Sequence, residues 1–296
     1  MKTLHRIVAS TAFLTLSALT PLQAAETSPG GNPSIGEGSS GVHFFFGVRP
    51  WIATWDVPLV HTQLVIPTSG PPPVFRQHVL KAESNATVTP LLTLGARFNN
   101  LIVSVTSIPK TGFSSDGYTN DKVKRGEYDV SLGYALTPNI LASIVYKRGE
   151  IDTLSTDDTT ALNGGQAGRA TVTGLLLGLN ANAPLREKLS LYGNFAFGPA
   201  QEKSNLPDGN GRKKWNGSYW IGEVGLSYQL LAPAENTSLG LSSLSLMLGY
   251  RAQTVSIKNI GYAIRASSPP FNLIGAENHD VSSTIQGPIL GLVGSF

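Results

Sequence analysis

Apolar side chains recur at every second position over residues 128–136 and again over 140–146, with small or polar residues between them in the first segment and Leu141, Ser143 and Val145 between them in the second. That period of two belongs to a strand with one apolar and one polar face. Thr137-Pro138-Asn139 supplies a tight turn between the two segments. Antiparallel pairing about Pro138 sets Leu136 against Ile140, Tyr134 against Ala142, Leu132 against Ile144 and Val130 against Tyr146. The other face pairs Gly133 with Ser143, Ser131 with Val145 and Asp129 with Lys147, so opposite charges meet on the polar side. A second hairpin is predicted at Asn99-Asn100, because Asn tolerates the positive φ that a two-residue turn requires. There Phe98, Ala96 and Leu94 meet Leu101, Val103 and Val105, while Gly95 and Thr93 meet Ser104 and Thr106. Each hairpin has one oily face and one small, polar face.

Ten such segments are predicted near 43–56, 86–98, 101–109, 124–136, 140–150, 169–182, 188–199, 216–230, 239–256 and 283–296. The connections 57–85, 110–123, 151–168, 200–215 and 257–282 read as long polar loops. The turns at 99–100, 137–139, 183–187 and 231–238 are shorter. Long loops on one side and short turns on the other fit an all-β, antiparallel, up-and-down transmembrane barrel of about ten strands. Eight or twelve strands stay open, since 57–66 and 74–81 could form a hairpin that extends the first strands, with Pro58 arguing against regular pairing. Segments 174–179 and 289–293 are apolar at every position or nearly so, and alternation does not orient them. The chain has 32 glycines, only 14% charged residues and no cysteine, so closure rests on backbone pairing rather than disulfides.

Lys2, His5 and Arg6 followed by an apolar stretch over 7–19 and small residues over 21–25 predict a cleaved export signal, residues 1–25. Its apolar core is too short to span a bilayer as a helix. Without Lys2 and Arg6 the net charge falls from +3 to +1, which gives no reason to expect nucleic-acid binding. Residues 26–41 read as a flexible periplasmic lead-in rich in Gly, Pro and Ser, and 42–296 as the barrel.

The signal, the alternating hairpins and the last strand with Leu290, Leu292 and Phe296 on one face resemble bacterial outer-membrane β-barrels. The resemblance covers the mature chain as architecture. It implies a Gram-negative outer-membrane location, and recognition of the strand ending in Phe296 by the barrel-assembly machinery. Length and strand count are also similar to those of omptin proteases, whose paired Asp and Asp-His catalytic groups are not recognisable here at the strand tops.

The register turns Arg97, Asp129, Lys147, Glu223 and Arg251 toward the lumen, with Glu127 and Arg49 beside them. They read either as an ion-pair network that plugs the interior or as a narrow polar pathway. Tyr128, Tyr146, Trp220 and Tyr250 fall at the outer membrane interface, and Phe98, Tyr134, Tyr228 and Phe296 at the inner one. Lys122, Lys124, Arg125, Arg148, Arg212, Lys213 and Lys214 lie at or above the outer rim, where lipopolysaccharide carries phosphates. Chemistry has few candidates. No G-x-S-x-G elbow is present. Glu277, His279 and Asp280 form the only local cluster of acid/base types, and Asp152, Asp157 and Asp158 lack a cation-loop spacing. The sites at Asn85, Asn216 and Asn236 read as chance glycosylation matches. No metal, cofactor or catalytic residue is expected. The leading expectation is a structural or narrow, porin-like solute-passage barrel. The alternatives are a surface adhesin or receptor using 57–85 and 257–282 and, last, a rim enzyme acting on lipid or peptide.

Overall fold

The computed structural model describes residues 42–65, 74–114, 123–153, 168–231, 241–265 and 273–296. Within these, residues 57–65, 74–82, 153, 263–265 and 273–276 are described by backbone alone. The expected signal and lead-in, 1–41, lie outside them, as do Lys122, Asp157, Asp158 and Asn236. Eleven strands follow in order: β1 (Val42–Val65), β2 (Val74–Glu83), β3 (Thr87–Phe98), β4 (Leu101–Phe113), β5 (Val123–Thr137), β6 (Ile140–Thr153), β7 (Gly168–Arg186), β8 (Leu189–Ser204), β9 (Lys214–Leu231), β10 (Ser243–Arg265) and β11 (Leu273–Ser295).

All neighbours pair antiparallel, from β11 through β10 down to β3 and then β1, and β1 pairs β11 to close the ring. The ring has ten staves because β2 and β3 share one: both pair with β1, β2 along its outer half and β3 along its inner half. The break at 84–86 is mended locally. Ser84 Oγ accepts from Trp55 N at 2.9 Å and Ser84 N donates to Trp55 O at 2.9 Å, which replaces one rung of the ladder. The architecture is that of a closed, antiparallel, up-and-down β-barrel of ten staves.

The register agrees with the two hairpins read from sequence. Every pair expected about Asn99-Asn100 is present, and Asn99 has φ 52°. About Pro138, six of the seven pairs are present; the exception is at the turn, where Ile140 meets Thr137 instead of Leu136 across a register shift. The loop expectation is corrected. The strands run on through most of the segments read as loops, leaving 66–73, 114–122, 154–167, 205–213 and 266–272 between them at the outer end, against 99–100, 138–139, 187–188 and 232–242 at the inner end. Length therefore does not sort the connections by side, since 232–242 is longer than 66–73. Polar residues suit strands that rise past the hydrocarbon into water, so polarity alone was no sign of a loop. Pro58 is accommodated opposite Lys81. Trp55 turns its N–H and C=O toward Ser84, so Pro58, three residues on, turns its nitrogen to the other side. The pairs described between β1 and β11 end at Asp56, so the missing donor interrupts none of them.

Alternation gives the wall two faces. Leu94, Val103, Leu132, Ile144, Leu226, Leu248 and Leu290 are exposed on the outside, forming an apolar belt. The ambiguous segments are now oriented: Leu177 is 72% exposed, Leu176 is fully buried in the interior, and Ile289 points inward between outward Pro288 and Leu290. Tyr128, Tyr146 and Tyr250 are exposed toward the outer end, with the Tyr128 and Tyr146 rings 6.4 Å apart; Trp220 is half-buried, opposite Phe197 and Thr254. Phe98, Tyr134, Tyr228 and Phe296 are exposed near the inner end. Phe296 N donates to Phe44 O at 2.9 Å, and its ring lies 5.7 Å from Phe46.

Candidate functional site

The inward-facing side chains are stacked in layers. Phe45, Ile102, Ala135 and Leu141 pack at the inner end. Two apolar clusters fill the outer half. One gathers Trp51, Trp55, Leu91, Ile108, Phe113, Ile285 and Ile289; the other gathers Val172, Leu176, Trp215, Tyr219, Ile221, Val255, Ile257 and Val281. Between these and the inner layer the lumen is crossed by charge.

The inner part of this girdle centres on Glu223 of β9. Arg49 of β1 donates to it at 2.8 Å, Arg251 of β10 at 2.9 Å and the Tyr192 hydroxyl of β8 at 3.1 Å. Tyr192 reaches the carboxylate by lying across Gly225 and Gly249; a Cβ on either would come within 2.8 Å of its ring or hydroxyl. The Arg251 guanidinium also sits 5.5 Å from the Trp51 ring centroid. The outer part centres on Glu127 of β5. Lys147 Nζ is 2.5 Å from one oxygen, and Arg125 is 2.5 Å from the other. Gln253 Nε2 donates across the lumen at 2.8 Å, and Lys147 also holds Asp129 at 2.8 Å. Tyr219 donates to Glu127 at 3.4 Å and accepts from Arg125 at 3.2 Å. Trp55 and Tyr219 present ring faces to Arg125 and Lys147 at 5.2 and 5.3 Å. A charge removed from water is tolerated only with such partners. Lys147 has two carboxylates and no exposure at all.

Of the five lumen residues read from sequence, the structure joins four in this girdle: Asp129, Lys147, Glu223 and Arg251. Arg97 is buried apart from them near the inner turn, donating through Nε to Asn99 O at 2.8 Å. Gln253, Tyr192 and Tyr219 went unread, although their strand parity matches that of Arg251 and Glu223. Arg125 corrects the reading of the basic rim. It is buried inside against Glu127, and cannot meet a lipid headgroup. Its parity, two residues from Glu127 and four from Asp129, dictates that side.

The remaining rim cations divide. Lys124, Lys213 and Lys214 are exposed, and Arg148 bonds Glu150 at 3.2 Å. Outside β5 and β6, Lys110 bridges Glu150 at 3.1 Å and Asp152 at 2.8 Å, and Arg169 reaches Asp152 at 2.9 Å. Lys214 stands directly opposite Lys203, a like-charge pair that the sequence reading missed. Arg212 is occupied: it bonds Asp208, Asn278 and the Asn259 carbonyl. Asp208 pins the 205–213 segment to β10, accepting from Trp215 Nε1 at 2.9 Å and from the amides of Gly261, Asn210 and Arg212. Burial works against its charge, yet the Trp215 N–H and these amides outweigh it and hold the carboxyl at about 2.

The His279 cluster does not converge. His279 Nε2 is 3.8 Å from Glu277, beyond hydrogen-bond reach, and Asp280 accepts instead from Asn259 N. His279 lies 5.9 Å from the Tyr262 ring. Nearby Glu202 is set opposite Val172 and Trp215, and burial raises its carboxyl to about 6. Among the described residues no three His, Cys, Asp or Glu side chains group as metal ligands.

No protein-family model matches the chain, and no curated protein matches it in sequence. Solved structures show likeness of shape. The outer membrane protease OmpT of Escherichia coli is 10% identical, covering 86% of this chain and 96% of its own, with a TM-score of 0.44. A FadL homologue of Pseudomonas aeruginosa is 9% identical, covering 86% and 90%, with a TM-score of 0.34. The toluene transporter TodX of Pseudomonas putida is 11% identical, covering 87% and 90%, with a TM-score of 0.28. Scores this low carry no functional argument, and the fold stated above rests on strand pairing.

Two outcomes are expected. Lys147→Ala strands Glu127 and Asp129 with fewer partners and is expected to lower stability by about 3–5 kcal/mol, whereas Lys110→Ala, whose partners face water, should cost about 1 kcal/mol or less. Urea unfolding of the lipid-reconstituted barrel compares them, and equal losses would refute the buried assignment. For Glu202 the folded carboxyl titrates above its ordinary value, so its favourable state is the protonated one. That stability is complete below about 4.5 and lost as pH rises through about 6. Glu202→Gln is therefore expected to stabilise the barrel at pH 7.5 by about 2 kcal/mol in urea unfolding and to have no effect at pH 4.

Proposed function

We propose that the chain is an outer-membrane barrel closed to bulk solutes by its own side chains, with a structural role in the envelope. One observation carries this: Lys147 is wholly buried between Glu127 and Asp129 while Gln253 reaches Glu127 from the far wall. An open aqueous pore would leave that ammonium hydrated. The apolar clusters on its outer side support the same reading, because Trp51, Trp55 and Tyr219 fill the lumen there. A narrow solute passage is the second reading. Its support is the concentration of charge across the lumen, which could select by sign if the girdle parted. The adhesin alternative has less loop to work with, since 57–65, 74–83, 257–265 and 273–282 are strand. The proposal assigns no catalytic step to the rim.

The same reading gives lipopolysaccharide phosphates to Lys124, Arg148, Lys203 and Lys214, which lie beyond the outer aromatics, and gives the strand ending in Phe296 to the assembly machinery.

In planar bilayers the wild-type barrel is expected to stay silent across voltages, and the charge-balanced pair Lys147→Ala with Glu127→Ala to show discrete steps. Regular steps from the wild type would sink the closed reading. Lipopolysaccharide co-purifying with the barrel is expected to fall several-fold in Lys203→Glu with Lys214→Glu. An unchanged ratio would remove that contact.

A further inference from the structure

Between the Glu223 cluster and the inner apolar layer lies a chamber of about 180 Å³. One water needs only about 10–15 Å³ by this kind of measure, so the space holds more than stray solvent. Its wall is built of hydroxyls and amides, among them Thr93, Ser104, Thr106, Ser131, Asn180 and Asn194. Each carries a hydrogen-bond donor, and because the Thr93 and Thr106 hydroxyls bond each other at 3.0 Å, that pair offers one proton to a guest. Phe45, Ile102 and Leu141 form the inner side, and Arg49 stands on the side toward Glu223.

The charge around this chamber does not balance. The inward-facing cations of the girdle are Arg49, Arg125, Lys147 and Arg251, and the carboxylates are Glu127, Asp129 and Glu223. Four positive groups share three negative ones. Glu223 serves both Arg49 and Arg251, and Glu127 serves both Arg125 and Lys147. Glu202 stands outside the girdle, level with Val172 and Trp215 in the outer apolar cluster. Surplus charge inside a wall of strands is costly unless an opposite charge sits near it. Arg49 is the girdle cation that lines the chamber. One Nη is spent on Glu223, and among the described residues no other hydrogen bond of its guanidinium is found.

We propose that this chamber binds a small anion, of halide to phosphate size, held by Arg49 and the surrounding hydroxyl and amide donors. The anion enters from the inner end, past Phe45, Ile102 and Leu141, because the ion-pair girdle and then Trp51, Trp55 and Tyr219 fill the other side. Arg49 then has two roles: it pairs with Glu223 and it faces the guest. The site does not require the barrel to conduct, so the bilayer result leaves it standing.

Crystals of the refolded barrel grown in sodium bromide test it, with bromide located by anomalous diffraction. A peak is expected in the chamber beside Arg49, lost in Arg49→Gln and kept in Lys188→Gln, a control at the inner turn. Arg49→Gln leaves Glu223 paired with Arg251 and Tyr192, so the fold is expected to survive. Asn194→Ala, which touches no ion pair, should weaken the peak and decides the matter if the first variant fails to fold. In solution, the wild-type urea midpoint is expected to be higher in chloride than in gluconate at equal ionic strength, and the difference to vanish in Arg49→Gln. An empty chamber in the wild type, a peak indifferent to Arg49→Gln and Asn194→Ala, or equal midpoints in both salts overturns the proposal. A purely structural Arg49 would destabilise equally in either salt when replaced.

Discussion

Peptide groups along the staves find hydrogen-bond partners on neighbouring strands, and the ladder between β1 and β11 closes the ring. In hydrocarbon nothing else could supply those partners. Everything else follows from that closure. A closed sheet has an outside and an inside, and a strand must send alternate residues to each. Apolar residues such as Leu132 and Leu248 can face out at no cost. Polar and charged ones on the alternate positions have only the lumen, where water is scarce and neighbours are close.

The girdle is the response to that confinement. Glu127 and Glu223 each collect two cations, and Gln253, Tyr192 and Tyr219 complete their shells from other strands. The contacts tie β1, β5, β6, β8, β9 and β10 across the interior. An interior of ion pairs is a weak source of net stability beside well-packed apolar side chains, because desolvation offsets most of the attraction. What it supplies is specificity: a one-residue slip of β6 or β9 would turn Lys147 or Glu223 outward into lipid. The ion pairs and the apolar belt therefore enforce the same register from opposite faces.

Much of this was legible because it is local or follows parity. Asp129 facing Lys147 required only a turn at Pro138 and a count by twos. The ring of ten staves likewise followed from segment spacing. Arg125 was misread although the same count placed it inside, because a cluster of basic residues near a rim suggested lipid more loudly than parity suggested the lumen. Cross-lumen partners were not legible. Glu127 and Gln253 are 126 positions apart, and no periodicity links them. The seat of Tyr192 needed Gly225 and Gly249 side by side on two strands, which only the observed register reveals. The Asp208 clamp is similar, since its amide donors come partly from β10. Polar stretches read as loops because strands rising into water carry no apolar face.

The two ladders that flank β11 differ in extent. With β10 it pairs from Ser295 to Leu273, while its described pairs with β1 run only from Ser295 to Thr284. The ladder between β3 and β4, from Leu92 to Phe98, is as short. A cylinder with two short joins does not come apart evenly. Thermal agitation or pulling force would part the wall at these joins before the longer ladders, as a zipper yields at its loose end. The join of the first stave and the last is where a growing sheet would finally lock during insertion. Substitutions there are set to act on the speed of sealing more than on the balance between sealed and open.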